Sequence, residues 1–318
     1  MKILILGTGA IGSVFGGFLA KSGHQVTLVG KLPHLEVIKQ QGLKISGIWG
    51  EYLITQNLIL GLNLEEILRN SQKSFDLVLI CVKSYDTEKI VKEYLPVIKE
   101  SSYIISLQNG LGNLEIISSL VEKEKIIAAR VIFGAKVESP GHVKVTVYAD
   151  QVMLGSIDNV ISFEKLEEVA QIISTSGIPC QATKEINKYL WAKVLYNCSL
   201  NGLAAILEVT YGELGAYQET RKIMLDICKE IFMVAKIKKI EFFWERPEEY
   251  FDYLINKQIP PTAFHHASMR QDIKNQKKTE IEALNGAIVR LAKEEGLEVP
   301  VNNFITSLIK SKEKTYLS

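Results

Sequence analysis

The sequence predicts an α/β protein: a doubly wound Rossmann-type sheet with an antiparallel extension, followed by an all-α C-terminal domain. Three observations predict it. Short runs of Ile, Leu and Val alternate with helical stretches as far as Val131, a glycine-rich turn follows the first run, and strand signals fade after Pro179.

The apolar runs at 2–6, 25–29, 77–81, 103–107 and 126–131 have no polar face, which suits parallel strands buried on both sides. Helices are expected between them at 10–21, 35–41, 87–94 and 114–121. From 132 to 155 the texture changes to alternation, clearest in Val143-Lys144-Val145-Thr146-Val147, and an antiparallel extension of the sheet is expected there. Beyond Pro179, helices are expected at 185–201, 219–236, 247–255, 279–295 and 303–310, with a charged tail at 310–318 that frays. The boundary near Thr183 gives a dinucleotide-binding domain at 1–183 and a helical substrate and catalytic domain at 184–318.

The composition fits this plan. At roughly 150 residues per domain, 318 residues make about two. With 47% apolar and 23% charged residues, a full core is affordable and a disordered or collagen-like chain is excluded. A net charge of +1 argues against general nucleic-acid binding. The longest apolar runs fall far short of the roughly 20 residues of a membrane span. Met1-Lys2-Ile3-Leu4-Ile5-Leu6 runs straight into a glycine turn, so it reads as a strand and not as a secretory leader. Cys81, Cys180, Cys198 and Cys228 form no CxxC pair and read as buried free thiols in a reducing cytoplasm.

Gly7-Thr8-Gly9-Ala10-Ile11-Gly12 is a GxGxxG element between an apolar strand and an amphipathic helix, the context that a dinucleotide-binding turn requires. Gly7 permits the tight turn, Gly9 lets backbone approach a pyrophosphate, and Gly12 lets the helix pack on the strand. The free N–H groups at the helix start then face the anion. The bland alternative is a glycine turn with no ligand. The second strand ends in Gly30-Lys31 where NAD enzymes usually place a carboxylate for the ribose 2′-OH. A cation there favours the 2′-phosphate of NADP, against the alternative of a solvated surface lysine.

In the stretch 189–201, a period of about 100° per residue places Ile186, Leu190, Lys193, Asn197 and Leu200 on one stripe, with Asn201 at its edge. Burial lowers the pKa of an ammonium on an apolar face and suits it to general-acid work. Alternatively, the lysine stem lies along the surface and its charge reaches water. Glu280 shares a predicted helix stripe with Leu284, Ala287 and Leu291; it reads as a partner for Lys193 or as a glutamate at a helix start. The five histidines show no HxxxH or HExxH spacing, so no metal site is expected, and His265 and His266 read as surface or rim residues. Phe242-Phe243-Trp244 reads as core packing or a subunit contact. Ser268 lacks a GxSxG elbow, which removes a hydrolase reading.

Together these residues resemble the ketopantoate reductase (2-dehydropantoate 2-reductase) family over nearly the whole chain. The resemblance is carried by GTGAIG, His34-Leu35-Glu36-Val37-Ile38 with Gly42-Leu43, Cys81-Val82-Lys83, Gln108-Asn109-Gly110 and Leu190-Trp191-Ala192-Lys193 with Asn197-Cys198. Ser268-Met269-Arg270-Gln271-Asp272, Thr279-Glu280-Ile281-Glu282 and Leu284-Asn285-Gly286 complete it. The resemblance implies NADPH-dependent reduction of ketopantoate to pantoate, for pantothenate and coenzyme A synthesis, in a cleft between the domains. Lys193 matches the catalytic lysine and Glu280 the glutamate beside it. Asn197, Asn201 and Ser268 match substrate-binding positions, Asn109 an asparagine near nicotinamide and substrate, and Lys83 a cofactor-side lysine. Lys31 stands where the family often carries arginine, which keeps the charge and loses the planar fork. The run 274–278 replaces a glycine- and arginine-containing segment, and Glu282 replaces an aspartate. The implied partners are a small keto acid and at most a second copy in a homodimer, with no nucleic acid and no membrane. Two other readings keep the fold: a reductase of a different 2-keto acid, and a non-catalytic nucleotide-binding regulator.

Overall fold

Short runs rich in Ile, Leu and Val are satisfied best inside a sheet covered on both sides, and that is where they lie. The structure, a computed structural model, describes residues 1–69 and 74–317. It divides into two units, Met1–Gln108 with Asn113–Ile186, and Asn109–Gly112 with Asn187–Ser318.

The first unit begins β1 (Lys2–Leu6), α1 (Ala10–Lys21), β2 (Gln25–Val29), α2 (Leu32–Gln41), β3 (Leu43–Gly47), β4 (Tyr52–Ile54), β5 (Leu58–Gly61) and α3 (Leu64–Arg69). It continues β6 (Leu77–Ile80), α4 (Thr87–Glu93), α5 (Leu95–Glu100), β7 (Tyr103–Ser106), α6 (Asn113–Ser118) and β8 (Ile126–Arg130). β9 (Phe133–Ser139), β10 (His142–Tyr148), β11 (Val152–Ser156), α7 (Phe163–Thr175) and β12 (Cys180–Ala182) complete it. The main sheet has the order β12-β11-β8-β7-β6-β1-β2-β5. Its pairings are parallel except that of β11 with β8. The chain winds outward from β1 through β2 and then returns to β6 on the other side. The strand order therefore reverses beside β1, the place where doubly wound sheets bind ligands. Leu6 pairs with Val29 on one side and Ile80 on the other, so the glycine turn emerges between the ends of those strands.

The hairpin β9–β10 corrects the sequence expectation. Only β11 extends the main sheet antiparallel. β9 and β10 instead join a second sheet of order β4-β3-β10-β9, in which β10 lies parallel to β3. Their apolar face, with Phe133, Val143 and Val145, shares a core with Leu43 and Ile45 of β3 and with Val14, Phe15 and Phe18 of α1. Alternation demands one covered face but does not name the cover. Here the cover is α1, packed between both sheets. A Cβ on Gly16 would stand 2.6 Å from Leu28 of the main sheet, and one on Gly17 2.6 Å from Ile45 of the second. The glycine pair lets one helix touch both.

The second unit holds α8 (Ile186–Leu207), α9 (Tyr211–Ala216), α10 (Gln218–Ile237), α11 (Pro247–Tyr253), α12 (Ser268–Lys274), α13 (Asn285–Glu294) and α14 (Pro300–Lys314). Its core joins Leu195 and Leu203 to Ile231, Tyr250, Ile288 and Ile305. Trp244 packs against Tyr250 and Phe242 against Trp191, so these two serve their own unit's core, while Phe243 is exposed. Two expectations fail. The helix expected at 279–295 is broken: Ile281–Ala283 is a 3₁₀ turn, Leu284 sits at φ −107°, ψ −110°, and α13 starts only at Asn285. The Ala283 carbonyl accepts from Leu111 N–H (2.8 Å), which holds the break open. Glu280 therefore precedes the turn and shares no helix stripe with Leu284, Ala287 and Leu291. The charged tail, expected to fray from Lys310 as a solvated end, is helical to Lys314, because Ile309 and Glu313 are buried and Lys310 and Lys312 pair with Glu282 and Glu208. Ser318 lies outside the described residues. Among the described residues, no helix is long and apolar enough to cross a membrane.

Candidate active site

The glycine turn is built as a backbone cradle. Gly7 takes φ +105°, and the N–H groups of Gly7 and Thr8 donate to the Val29 carbonyl at 3.0 and 3.1 Å, which ties the turn to the end of β2. A Cβ on Gly12 would stand 2.0 Å from the Gly7 oxygen, whereas one on Gly9 would meet nothing within 4 Å. Gly9 is the N-cap of α1 and no side chain caps that helix, so the first-turn N–H groups of Ala10 and Ile11 are offered to an anion. Thr8 is buried, and among the described residues its hydroxyl has no hydrogen-bond partner. An uncapped helix start with an orphaned hydroxyl beside it fits a dinucleotide's phosphates and ribose.

The same hydroxyl explains the missing carboxylate. A Cβ on Gly30 would lie 1.5 Å from Thr8 Oγ1, so position 30 carries no side chain while Thr8 keeps its place. Lys31 follows, exposed, as the N-cap of α2. Sequence reasoning missed this coupling, since only the register of β1 with β2 brings the two residues together.

A second support went unread. Gly141 N–H donates to His34 Nδ1 at 3.1 Å, so Nε2 carries the proton and donates to Ser13 Oγ at 3.0 Å. Burial lowers the His34 pKa and keeps the ring neutral. Lys83, half-buried, follows β6 at the start of a 3₁₀ turn. Its loop is fixed from the end of β7: Gln108 Nε2 donates to the Val82 carbonyl (2.9 Å) and to Thr87 Oγ1 (2.6 Å), and Thr87 donates to Asn113 Oδ1 (2.8 Å). The cue was Gln108 itself, a polar residue at the end of a buried strand.

The four cysteines are free, and burial pushes their thiols up, Cys180 and Cys228 to about 12. Among the described residues no cluster of His, Cys, Asp or Glu could hold a metal ion.

The remaining candidates belong to the second unit. Lys193, Asn197 and Asn201 succeed one another at four-residue steps along one ridge of α8; Lys193 is half-buried and both asparagines are buried. Asn201 Oδ1 accepts the Tyr211 hydroxyl at 2.5 Å. Glu280 is buried in a turn anchored from α14, where the Glu313 carboxylate accepts Thr279 N–H at 2.6 Å. Asn109 is brought to the same turn, because its neighbours Gly110 and Leu111 pack on Ala283; a Cβ on Gly110 would stand 2.3 Å from that carbonyl. Ser268 is exposed at the start of α12. Below α8, Asn285 Nδ2 donates to the Cys198 carbonyl (3.2 Å) and to Asn302 Oδ1 (2.9 Å), and Glu230 accepts from Asn302 Nδ2 (2.7 Å). An amine, amides and a carboxylate in one helical unit can orient an oxyacid and exchange a proton with it.

Residues 3–159 match the family model for ketopantoate reductase PanE/ApbA, and residues 185–313 that for its C-terminal part. The 2-dehydropantoate 2-reductase of Aquifex aeolicus is 42% identical over 98% of this chain and 97% of its own. A D-mandelate dehydrogenase solved with NADH and anilino(oxo)acetate superposes with a TM-score of 0.89 at 31% identity, covering 100% of this chain and 99% of that one. A PanE/ApbA family ketopantoate reductase from Ralstonia eutropha gives 0.87 at 27% identity, with both chains covered 100%.

Proposed function

The chain belongs to the ketopantoate reductase family, and from that premise we propose that it reduces the keto group of ketopantoate to pantoate with NADPH, a step toward pantothenate and coenzyme A. The observation that carries this reading is the ridge of Lys193, Asn197 and Asn201 on α8, in a chain 42% identical to a relative named 2-dehydropantoate 2-reductase. The nicotinamide, when bound, supplies the hydride that reaches the keto carbon.

The chain's own residues do the rest. The turn from Gly7 to Gly12 (Gly7, Thr8, Gly9, Ala10, Ile11, Gly12) receives the pyrophosphate at the start of α1, and Lys31 receives the 2′-phosphate. Lys83 and Asn109 steady the nicotinamide side. The Lys193 ammonium gives its proton to the keto oxygen as negative charge develops there, and Glu280 holds that ammonium in place. Asn197, Asn201 and Ser268 orient the hydroxyl and carboxylate of the acid, the positioning on which hydride transfer depends. We assign dinucleotide binding to 1–183 and substrate handling to 184–318.

A second reading is favoured by one finding: the D-mandelate dehydrogenase relative was solved with NADH. On that reading the acid carries a different side chain and the nucleotide lacks the 2′-phosphate. Following nicotinamide absorbance with NADPH and NADH against a panel of 2-keto acids separates the two. Ketopantoate reduced preferentially with NADPH supports the first, and an aryl keto acid reduced with NADH replaces it. Nucleotide binding without turnover of any acid leaves a regulator.

A further inference from the structure

Asn201 is held by a residue that neither the motifs nor the family resemblance singled out. Tyr211, buried in the first turn of α9, donates its hydroxyl to Asn201 Oδ1 at 2.5 Å. The tyrosine is itself fixed from several sides. A capping box between Thr210 and Glu213 sets the start of α9. Tyr211 N–H donates to the His265 carbonyl at 3.2 Å and Gly212 N–H to the Ala263 carbonyl at 2.9 Å. The Tyr211 ring stands edge-on to Tyr196, with centroids 5.8 Å apart, and packs on the His265 ring at 5.2 Å.

An asparagine amide has two ends of nearly equal shape and opposite chemistry, exchanged by a half-turn about its last torsion. Flipped, the Asn201 amide would donate to the phenol oxygen and leave the phenol hydrogen without its acceptor in a buried site, and an unmade hydrogen bond there is expensive. With Oδ1 committed to Tyr211, the –NH₂ end is the one left to turn toward a ligand, and among the described residues Nδ2 has no protein partner. The segment that pins Tyr211, residues 263–265, leads directly to Ser268.

We propose that Tyr211 is a positioning residue that selects the orientation of the Asn201 amide, so that this point of α8 offers substrate a hydrogen-bond donor and never an acceptor. The proposal rests on the reading of Asn201 as a substrate-binding residue. Its consequence is a rule of substrate chemistry. The ligand atom at Asn201 is an accepting oxygen of a carboxylate, carbonyl or hydroxyl. Together with the Lys193 ammonium on the same ridge, the helix selects oxyanions and rejects analogues that bring an amine to that position.

The test begins with the wild-type enzyme. Its turnover of ketopantoate checks the function reading alone; if another acid is the one reduced, that reading falls and the rest is run with that acid. Tyr211→Phe is expected to raise KM for the keto acid about tenfold, the worth of one such hydrogen bond. It should leave kcat within about threefold and KM for NADPH unchanged. In an Asn201→Ala background the same change should do nothing further to KM. Additive effects in that cycle, or equal loss in kcat and both KM values, would overturn the proposal. Asn201→Asp is an independent arm that leaves Tyr211 intact. It keeps the acceptor that the phenol uses and replaces only the donor, so keto-acid KM should rise by about 100-fold or more with Tm unchanged. A wild-type KM in that variant would also overturn it.

Discussion

Lys193 shows what one side chain is asked to supply. It is half-buried on α8, one turn before Asn197 and two before Asn201. Replacing it with alanine is expected to lower kcat by about 10²–10⁴, the usual worth of one acid–base group, and to leave nucleotide affinity within about twofold. Stopped-flow turnover beside a nucleotide titration checks both, and a variant with full turnover removes the amine from the chemistry. Gly30 is read differently. Its missing side chain is dictated by Thr8 Oγ1, so Gly30→Ala must push the Thr8 side chain out of the turn. Nucleotide affinity should fall by about tenfold, seen by nucleotide fluorescence. The half-buried place of Lys193 on α8 was legible because a lysine inside an apolar period is conspicuous in one dimension. The Thr8–Gly30 contact was not, since the two residues are remote in sequence and meet only through strand register.

Elements were legible in proportion to how completely they are buried. The five apolar runs and α1 stand out because a sheet covered on both faces leaves few polar residues to blur the pattern. β4 and β5 are short and only partly covered, and no pattern announced them. The break before α13 was hidden too, because its cause is a backbone bond to the distant Leu111. Packing between helices in the second unit rests on a buried carboxylate that sequence periodicity assigned simply to a helix. Glu230 of α10 accepts Val301 N–H (2.8 Å) and Asn302 N–H (2.9 Å) and so caps α14, and through Asn302 and Asn285 it reaches the backbone of α8 beside Asn197. Removing it leaves several buried donors unmet at the positive end of a helix. Glu230→Ala should cost about 3 kcal/mol or more in urea unfolding, and Glu230→Gln distinctly less, because the amide oxygen still accepts. An unchanged midpoint would show that α14 is held by its apolar face alone.

At the scale of the whole molecule, the charge balance hides a sensitivity to acid. A net charge of +1 and exposed ion pairs predict little response to salt, since such pairs are each worth about 0–1 kcal/mol. The histidines are another matter. His34 is held below its ordinary value of 6.5 by burial, His24 by burial and the nearby N-terminal ammonium, and His265 by burial and the charge of His266. Above about pH 6.5 each is neutral in both the folded and the unfolded chain, and folding keeps their full contribution. Below it the unfolded chain takes up protons that the folded protein refuses, so stability drains as pH falls until the folded values are reached. Each refused proton steepens the loss by up to about 1.4 kcal/mol per pH unit. His34 should dominate in the first unit, because its protonation would also break the Gly141 N–H bond to Nδ1 beside the glycine turn. Thermal unfolding between pH 7.5 and 5.5 should therefore show a falling midpoint, and His34→Asn should flatten that slope while lowering the plateau at neutral pH. A slope indifferent to His34 would assign the acid loss to carboxylates instead.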